Sequence, residues 1–163
     1  MKTVVDFEET FNDVLRDLED EIKDSGAEIF FDFSPAPTVS FSQKNLKSIL
    51  QNLISNSVKY RSPDRRLNIS VTTEKVADGY VLLKVQDNGL GIKEGDKDRI
   101  FLMYQRAHTH VGGTGVGLGI VKKIIENHDG IITASGELGK GATFDIYTII
   151  SIRIPQIVGG FQR

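Results

Sequence analysis

The sequence predicts an α+β domain in which a layer of helices packs on one face of a largely antiparallel sheet. Two observations lead there. Apolar residues recur at helical spacing in three stretches, near 6–24, 43–60 and 117–128. The stretches between them are of strand length, and neighbouring ones pair: 67–74 and 79–86 are joined by the turn residues Ala77, Asp78 and Gly79.

Taken in order, the first helix carries Phe7, Phe11, Val14, Leu15, Leu18 and Ile22, and Ser25 and Gly26 end it. Residues 27–33 read as a strand with Ile29, Phe31 and Phe33 on one side, stopped by Pro35 and Pro37. The second helix is capped by Ser42, carries Leu46, Ile49, Leu50, Leu53 and Ile54, and ends before Pro63. The paired strands at 67–86 run directly into Asp87-Asn88-Gly89-Leu90-Gly91-Ile92. A short helix over 98–104 and a polar, histidine-bearing loop at 107–112 follow. Gly113-Thr114-Gly115-Val116-Gly117-Leu118-Gly119 then opens the last helix, with Val121, Ile124 and Ile125. Strands near 131–135 and 143–150 close the domain, which is expected to span 1–150, with 151–163 a tail that gives no readable chemical signal.

Composition narrows the function classes. A chain of 163 residues can bury a real core. Its formal net charge of -2 gives no basic field for nucleic acid. With no cysteine, disulfides, thiolate nucleophiles and cysteine-ligated zinc are excluded. No apolar run approaches the roughly 20 residues of a membrane span, and the acidic start lacks a signal-peptide core, so no direct membrane contact is expected.

Three stretches carry candidate chemistry. On the second helix Asn52, Asn56 and Lys59 share one face, turned away from the apolar stripe. Two carboxamides and an ammonium there suit a phosphate with its metal ion, or form the solvated rim of an ordinary amphipathic helix. Asp87, at a strand end before flexible glycines, can accept from an exocyclic amine such as that of adenine; Asp-Asn-Gly is also plain turn chemistry. The glycines at 113–119 precede a helix whose unpaired N–H groups suit phosphate oxygens, or they form a hinge. No G-x-x-x-x-G-K-[ST] run exists, and G-x-G-x-x-G fails because Leu118 or Ile120 stands at its last position.

With these stretches placed, the chain resembles the catalytic ATP-binding domain of bacterial sensor histidine kinases, within the wider group that includes gyrase B, Hsp90 and MutL. The resemblance covers roughly residues 5–144 and rests on boxes in family order. They are Asn52-Leu-Ile-Ser-Asn56-Ser-Val-Lys59-Tyr60, Asp87-Asn-Gly89-Leu-Gly91-Ile92, Ile100-Phe101-Leu-Met-Tyr104-Gln-Arg106, Gly113-Thr-Gly115-Val-Gly117-Leu118 and Gly139-Lys-Gly141-Ala-Thr143-Phe144. It implies the two-layer α/β sandwich called the Bergerat or GHKL fold, with ATP and Mg2+ as ligands.

Residue roles follow from the resemblance. Asn56 would coordinate the magnesium ion, Lys59 would contact phosphate, and Tyr60 would lie against base or ribose. Asp87 would bind the adenine amine, with Gly89 and Gly91 admitting the base, Ile92 beside them, and Thr143 supporting the same contact. Gly113, Thr114, Gly115, Val116, Gly117 and Leu118 would line the phosphates at the lid, with Phe101 and Tyr104 packing it. Asn52 stands where the ATPases of the group have a water-activating Glu. A carboxamide accepts no proton at neutral pH, so phosphoryl transfer is expected rather than hydrolysis. His108, His110 and His128 lie in or after the lid, so the acceptor histidine is expected on a dimerisation domain absent from this chain, with a response regulator engaged indirectly. A cytoplasmic location is expected. Arg61 and Gly119 depart from the family pattern, the latter loosening the helix start by about 1 kcal/mol.

Overall fold

The computed structural model describes residues 2–102 and 117–149. The short strand β1 (Thr3–Asp6) runs into helix α1 (Phe7–Asp17), and α2 (Glu19–Ser25) follows after a break. Next come β2 (Glu28–Asp32), β3 (Thr38–Phe41) and the long helix α3 (Gln43–Lys59). The paired strands β4 (Asn68–Val76) and β5 (Tyr80–Asp87) are joined through a 3-10 turn at Ala77–Gly79. Helix α4 (Gly117–Asn127) and strands β6 (Ile131–Glu137) and β7 (Gly141–Ile149) complete the described chain.

The main sheet has the order β2-β4-β5-β7-β6. Only β2–β4 is parallel, because the chain between them crosses over through α3; the other three pairs are antiparallel. The expected largely antiparallel sheet is therefore present, with helices on one face. Strand alternation sets that face. Val81, Leu83 and Val85 of β5, Ile69 and Val71 of β4, and Phe144 and Ile146 of β7 are all buried toward the helices. Against them α3 presents Leu46, Ile49, Leu50, Leu53, Ile54 and Val58, each at most 7% exposed. Burying each such side chain contributes roughly 1.5–3 kcal/mol, which is what holds α3 to the sheet. Phe7 and Phe11 of α1 pack on Phe31 and Phe33 with ring centroids 5.1–5.7 Å apart, closing the other end of the layer.

Three elements differ from the sequence expectation. The first helix is two: at Leu18 the backbone leaves helical values (φ -103, ψ 15) while the side chain turns into the core. The hydrogen-bond ladder continues through the break, from Leu18 N–H to Val14 and from Ile22 N–H to Leu18. Beyond it α2 has no fully buried residue, and its Ile22 packs partly buried against the core. Second, β1 and β3 form an antiparallel pair of their own, Thr3 opposite Phe41 and Val5 opposite Val39. Each is four residues long, and Asp6 is at once the last residue of β1 and the cap of α1, accepting from Glu9 N–H at 2.9 Å. Third, the short helix expected over 98–104 is a 3-10 turn at Arg99–Phe101, and Tyr104 lies outside the described residues.

Helix α4 ends in a Schellman motif, with Gly130 N–H donating to Ile125 and Asp129 N–H to Glu126. The left-handed position, φ 59, is held by Asp129 rather than glycine. An L-residue is disfavoured there by about 1 kcal/mol or more, so Asp129→Gly is expected to stabilise the fold by about 0.5–1 kcal/mol, read as a rise in the thermal midpoint. An unchanged or lower midpoint would count against this account of the cap.

Candidate functional site

The site grows from the point where two apolar stripes end in polar residues. On β5 the inward positions are Val81, Leu83, Val85 and then Asp87. On α3 the inward positions run Leu50, Leu53 and Ile54 to Ser57, which is only 1% exposed. The pleat and the helical repeat bring these two polar ends together, and Ser57 Oγ donates to Asp87 Oδ2 at 2.8 Å. The other carboxylate oxygen, Oδ1, accepts from Gly89 N–H at 2.9 Å and from Ala142 N–H at 3.3 Å. Burial pushes the Asp87 carboxyl above the usual aspartate range, opposed by its three hydrogen bonds and by the Arg65 charge. A half-buried carboxylate whose Oδ2, bonded by Ser57 alone, keeps acceptor capacity suits a ligand amine.

The Ser57–Asp87 bond ties the turn of α3 carrying Asn56 to the loop carrying Asp87. Asn56 is half-buried one residue before Ser57, and its carbonyl accepts from Tyr60 N–H at 3.0 Å. Lys59 is exposed at the helix end and makes no ion pair among the described residues. Tyr60, half-buried, caps α3, and its carbonyl accepts from Leu90 N–H at 2.9 Å. That bond seats the loop after β5 against the end of α3.

The glycines of this loop are demanded by the protein's own backbone. A Cβ at Gly89 would sit 2.5 Å from the Tyr60 carbonyl, and Gly91, at φ 82, is pressed against the Glu137 carbonyl. Ile92 is buried in the core below. Asn52 is half-buried; its Nδ2 donates to the Ser48 carbonyl at 2.8 Å, and its Oδ1 lies 2.7 Å from where a Cβ on Gly117 would be. Asn52 thus abuts the first residue of α4, where Leu118 is half-buried against the core. Phe101 packs edge-on against Phe144 at 6.2 Å, and Lys122 stands over its ring. Gly113, Thr114, Gly115 and Val116 lie outside the described residues, as do His108 and His110.

Thr143 is not brought to Asp87. Its register partner is Gln86, while Asp87 is opposite Ala142. The pleat therefore turns Thr143 to the other face of the sheet, and the Ala142 amide takes the place next to the carboxylate. His128 packs against Phe41 with the rings tilted by 32° and their centroids 4.1 Å apart, and its Nε2 lies 3.1 Å from Asn45 Nδ2. Burial, and then the Lys2 charge, hold its basicity below the usual histidine range, and it lies half-buried against Phe41 rather than in the site. Among the described residues no group of three or more His, Cys, Asp or Glu side chains could hold a metal. No helix among them is long and apolar enough to cross a membrane.

Sequence reasoning missed Ser57, Arg65 and Asn88. Ser57 had a signal: a hydroxyl at an apolar-stripe position must find a partner when buried. Arg65 donates to the carbonyls of Asn88, Gly89 and Gly139, and the Asn88 side chain joins Asn68 N–H to the Arg66 carbonyl. These are contacts to backbone groups distant in sequence, which leave no pattern in it.

Comparison with known proteins shows the family and the fold. The profile of the "Histidine kinase-, DNA gyrase B-, and HSP90-like ATPase" family matches residues 41–152. Cyanobacterial phytochrome A of a Nostoc species is 41% identical over 143 residues, covering 86% of this chain and 18% of the phytochrome. The chain thus spans about a fifth of the length of such curated relatives. The catalytic domain of histidine kinase ThkA superposes with a TM-score of 0.78 at 26% identity, over 92% of this chain and 96% of that one. Full-length ShkA, in complex with AMPPNP, gives 0.79 at 28% identity, over 92% of this chain and 32% of ShkA. The chain belongs to the histidine kinase-, DNA gyrase B- and HSP90-like ATPase family, and is an ATP-binding catalytic domain of the sensor histidine kinase type.

Proposed function

We propose that this domain binds Mg-ATP between α3 and the loop after β5, and donates the γ-phosphoryl group to a histidine on a dimerisation domain outside this chain. The reading rests above all on Asp87, an inward-facing carboxylate fixed by Ser57, Gly89 and Ala142 with acceptor capacity left for the adenine amine. The complex of the related ShkA with AMPPNP supports an adenine nucleotide as ligand. Asn56 and Lys59 would face the phosphates, one and two turns along α3 from Asn52. A magnesium ion retains waters and takes few protein ligands beside phosphate oxygens, so a single carboxamide fits its needs. When bound, it would neutralise phosphate charge as the leaving group departs.

In the transfer, an imidazole nitrogen lone pair attacks the γ-phosphorus. A P–N bond forms as the bond to the bridging oxygen breaks, ADP leaves, and the other ring nitrogen releases its proton. No base on water is required. Asn52 favours transfer over hydrolysis: it is a carboxamide whose nitrogen is already engaged by the Ser48 carbonyl. The implied setting is a two-component system, with a response regulator receiving the phosphoryl group later and the domain facing the cytoplasm.

The test supplies a separately made histidine-bearing dimerisation domain with radiolabelled Mg-ATP. Acid-labile phosphohistidine on that domain is expected, with little incorporation on this chain alone; strong labelling of this chain alone, or steady ATP hydrolysis, contradicts the proposal. Asn56→Ala is expected to weaken Mg-dependent ATP binding by about tenfold in calorimetry, and unchanged affinity would remove Asn56 from the metal site.

Asp87→Asn separates function from stability. The oxygen of the introduced carboxamide can accept from the same two amides, and its nitrogen can donate to Ser57 Oγ, so the fold keeps its contacts. Because burial raises the folded pKa above 3.8, the fold favours protonated Asp87, and that contribution is lost as pH rises through the raised value. The variant should therefore melt no lower than wild type near about pH 7, its relative advantage disappearing near about pH 4. ATP affinity should fall by about tenfold or more. A variant that loses stability at neutral pH but keeps ATP would contradict the assignment.

A further inference from the structure

We propose that Arg65 is a positioning residue for nucleotide-base recognition, aiming the Asp87 carboxylate through a single peptide plane. The inference rests on the adenine-binding reading of Asp87. Arg65 lies in the connection between α3 and β4, and its guanidinium reaches three carbonyls on two loops. Nε donates to Asn88 O at 2.6 Å, and one terminal nitrogen donates to Gly89 O at 2.6 Å and to Gly139 O at 2.8 Å. The loop after β5 and the β6–β7 turn are thereby held together, and Gly139 N–H adds a bond to Leu90 O at 2.7 Å.

The decisive geometry is in the Asn88–Gly89 peptide. Its carbonyl oxygen accepts from Arg65, and its N–H donates to Asp87 Oδ1 at 2.9 Å. A trans peptide is rigid, and its C=O and N–H point in opposite directions. The guanidinium on one side therefore fixes the direction of the N–H on the other, and that N–H sets the rotation of the carboxylate. Asn88 restrains the same residue from its side chain, accepting from Asn68 N–H at 2.8 Å and donating to Arg66 O at 2.9 Å. Lysine does not replace this arrangement, because an ammonium lacks the planar fork that spans diverging carbonyls. Arg65 itself is exposed at the surface and acts through the backbone, not on the ligand.

The test measures affinities for ATP and for inosine triphosphate, which carries a 6-oxo group in place of the amine, on the 163-residue chain and its variants. In Arg65→Ala and Arg65→Lys the preference for ATP over inosine triphosphate is expected to shrink by about tenfold, through loss of ATP affinity with inosine triphosphate binding unchanged. A merely structural role would lower the melting temperature and the active fraction but leave the ratio intact. Wild-type preference in Arg65→Lys overturns the inference, and that variant carries the test should the alanine variant fail to fold. Asp87→Asn separates the two claims. If it erases the preference while the Arg65 variants keep it, the positioning role alone fails. If Asp87→Asn also keeps it, the adenine-site reading fails and the inference with it.

Discussion

A carboxylate placed on the apolar side of a sheet governs this structure. Asp87 occupies the position that another valine or leucine would take in the alternation of β5, and burial works against its charge. Such a group is tolerated only when hydrogen-bonded, and its partners come from three separate parts of the chain: Ser57 on α3, Gly89 after β5, and Ala142 at the start of β7. To supply them, α3 must end its apolar stripe in a serine, β5 must run into a tight loop, and β7 must pair with β5 in one register. The architecture of the described domain can be read as the set of conditions that hold this one charge in place.

The glycines belong to the same argument. Gly89 and Gly91 bring the loop against the carbonyls of Tyr60 and Glu137, so their lack of a side chain serves loop packing before any ligand arrives. Gly141, at φ 136, lies against the Asp87 backbone. Gly117 faces the Asn52 carboxamide, whose Oδ1 would lie 2.7 Å from a Cβ there. The N-terminal end of α4 and the middle of α3 are thus in contact.

Much of this was legible in the sequence, for physical reasons that differ by element. The α3 stripe from Leu46 to Ile54 is readable because a helix against a sheet must repeat its apolar residues at three and four. The β4–β5 pair was readable because both strands are long and the turn between them is short. The strands β1 and β3 were not, since four residues give too few alternations to distinguish a strand from an extended loop, and their pairing joins chain segments more than thirty residues apart. The Leu18 break left no proline or glycine to mark it. The family resemblance puts Thr143 beside Asp87, whereas a single step of strand register decides the face, and that step puts Ala142 there instead. Ser57 was within reach of the pattern, and Arg65 was not, because its partners are backbone carbonyls chosen by the tertiary fold.

The most direct measurement is a crystal structure of this chain with magnesium and a non-hydrolysable ATP analogue. The account predicts the adenine amine within hydrogen-bond distance of an Asp87 oxygen, the Ser57 bond retained, and the metal within reach of the Asn56 carboxamide. A nucleotide bound elsewhere, with Asp87 still satisfied only by Ser57, Gly89 and Ala142, would contradict it.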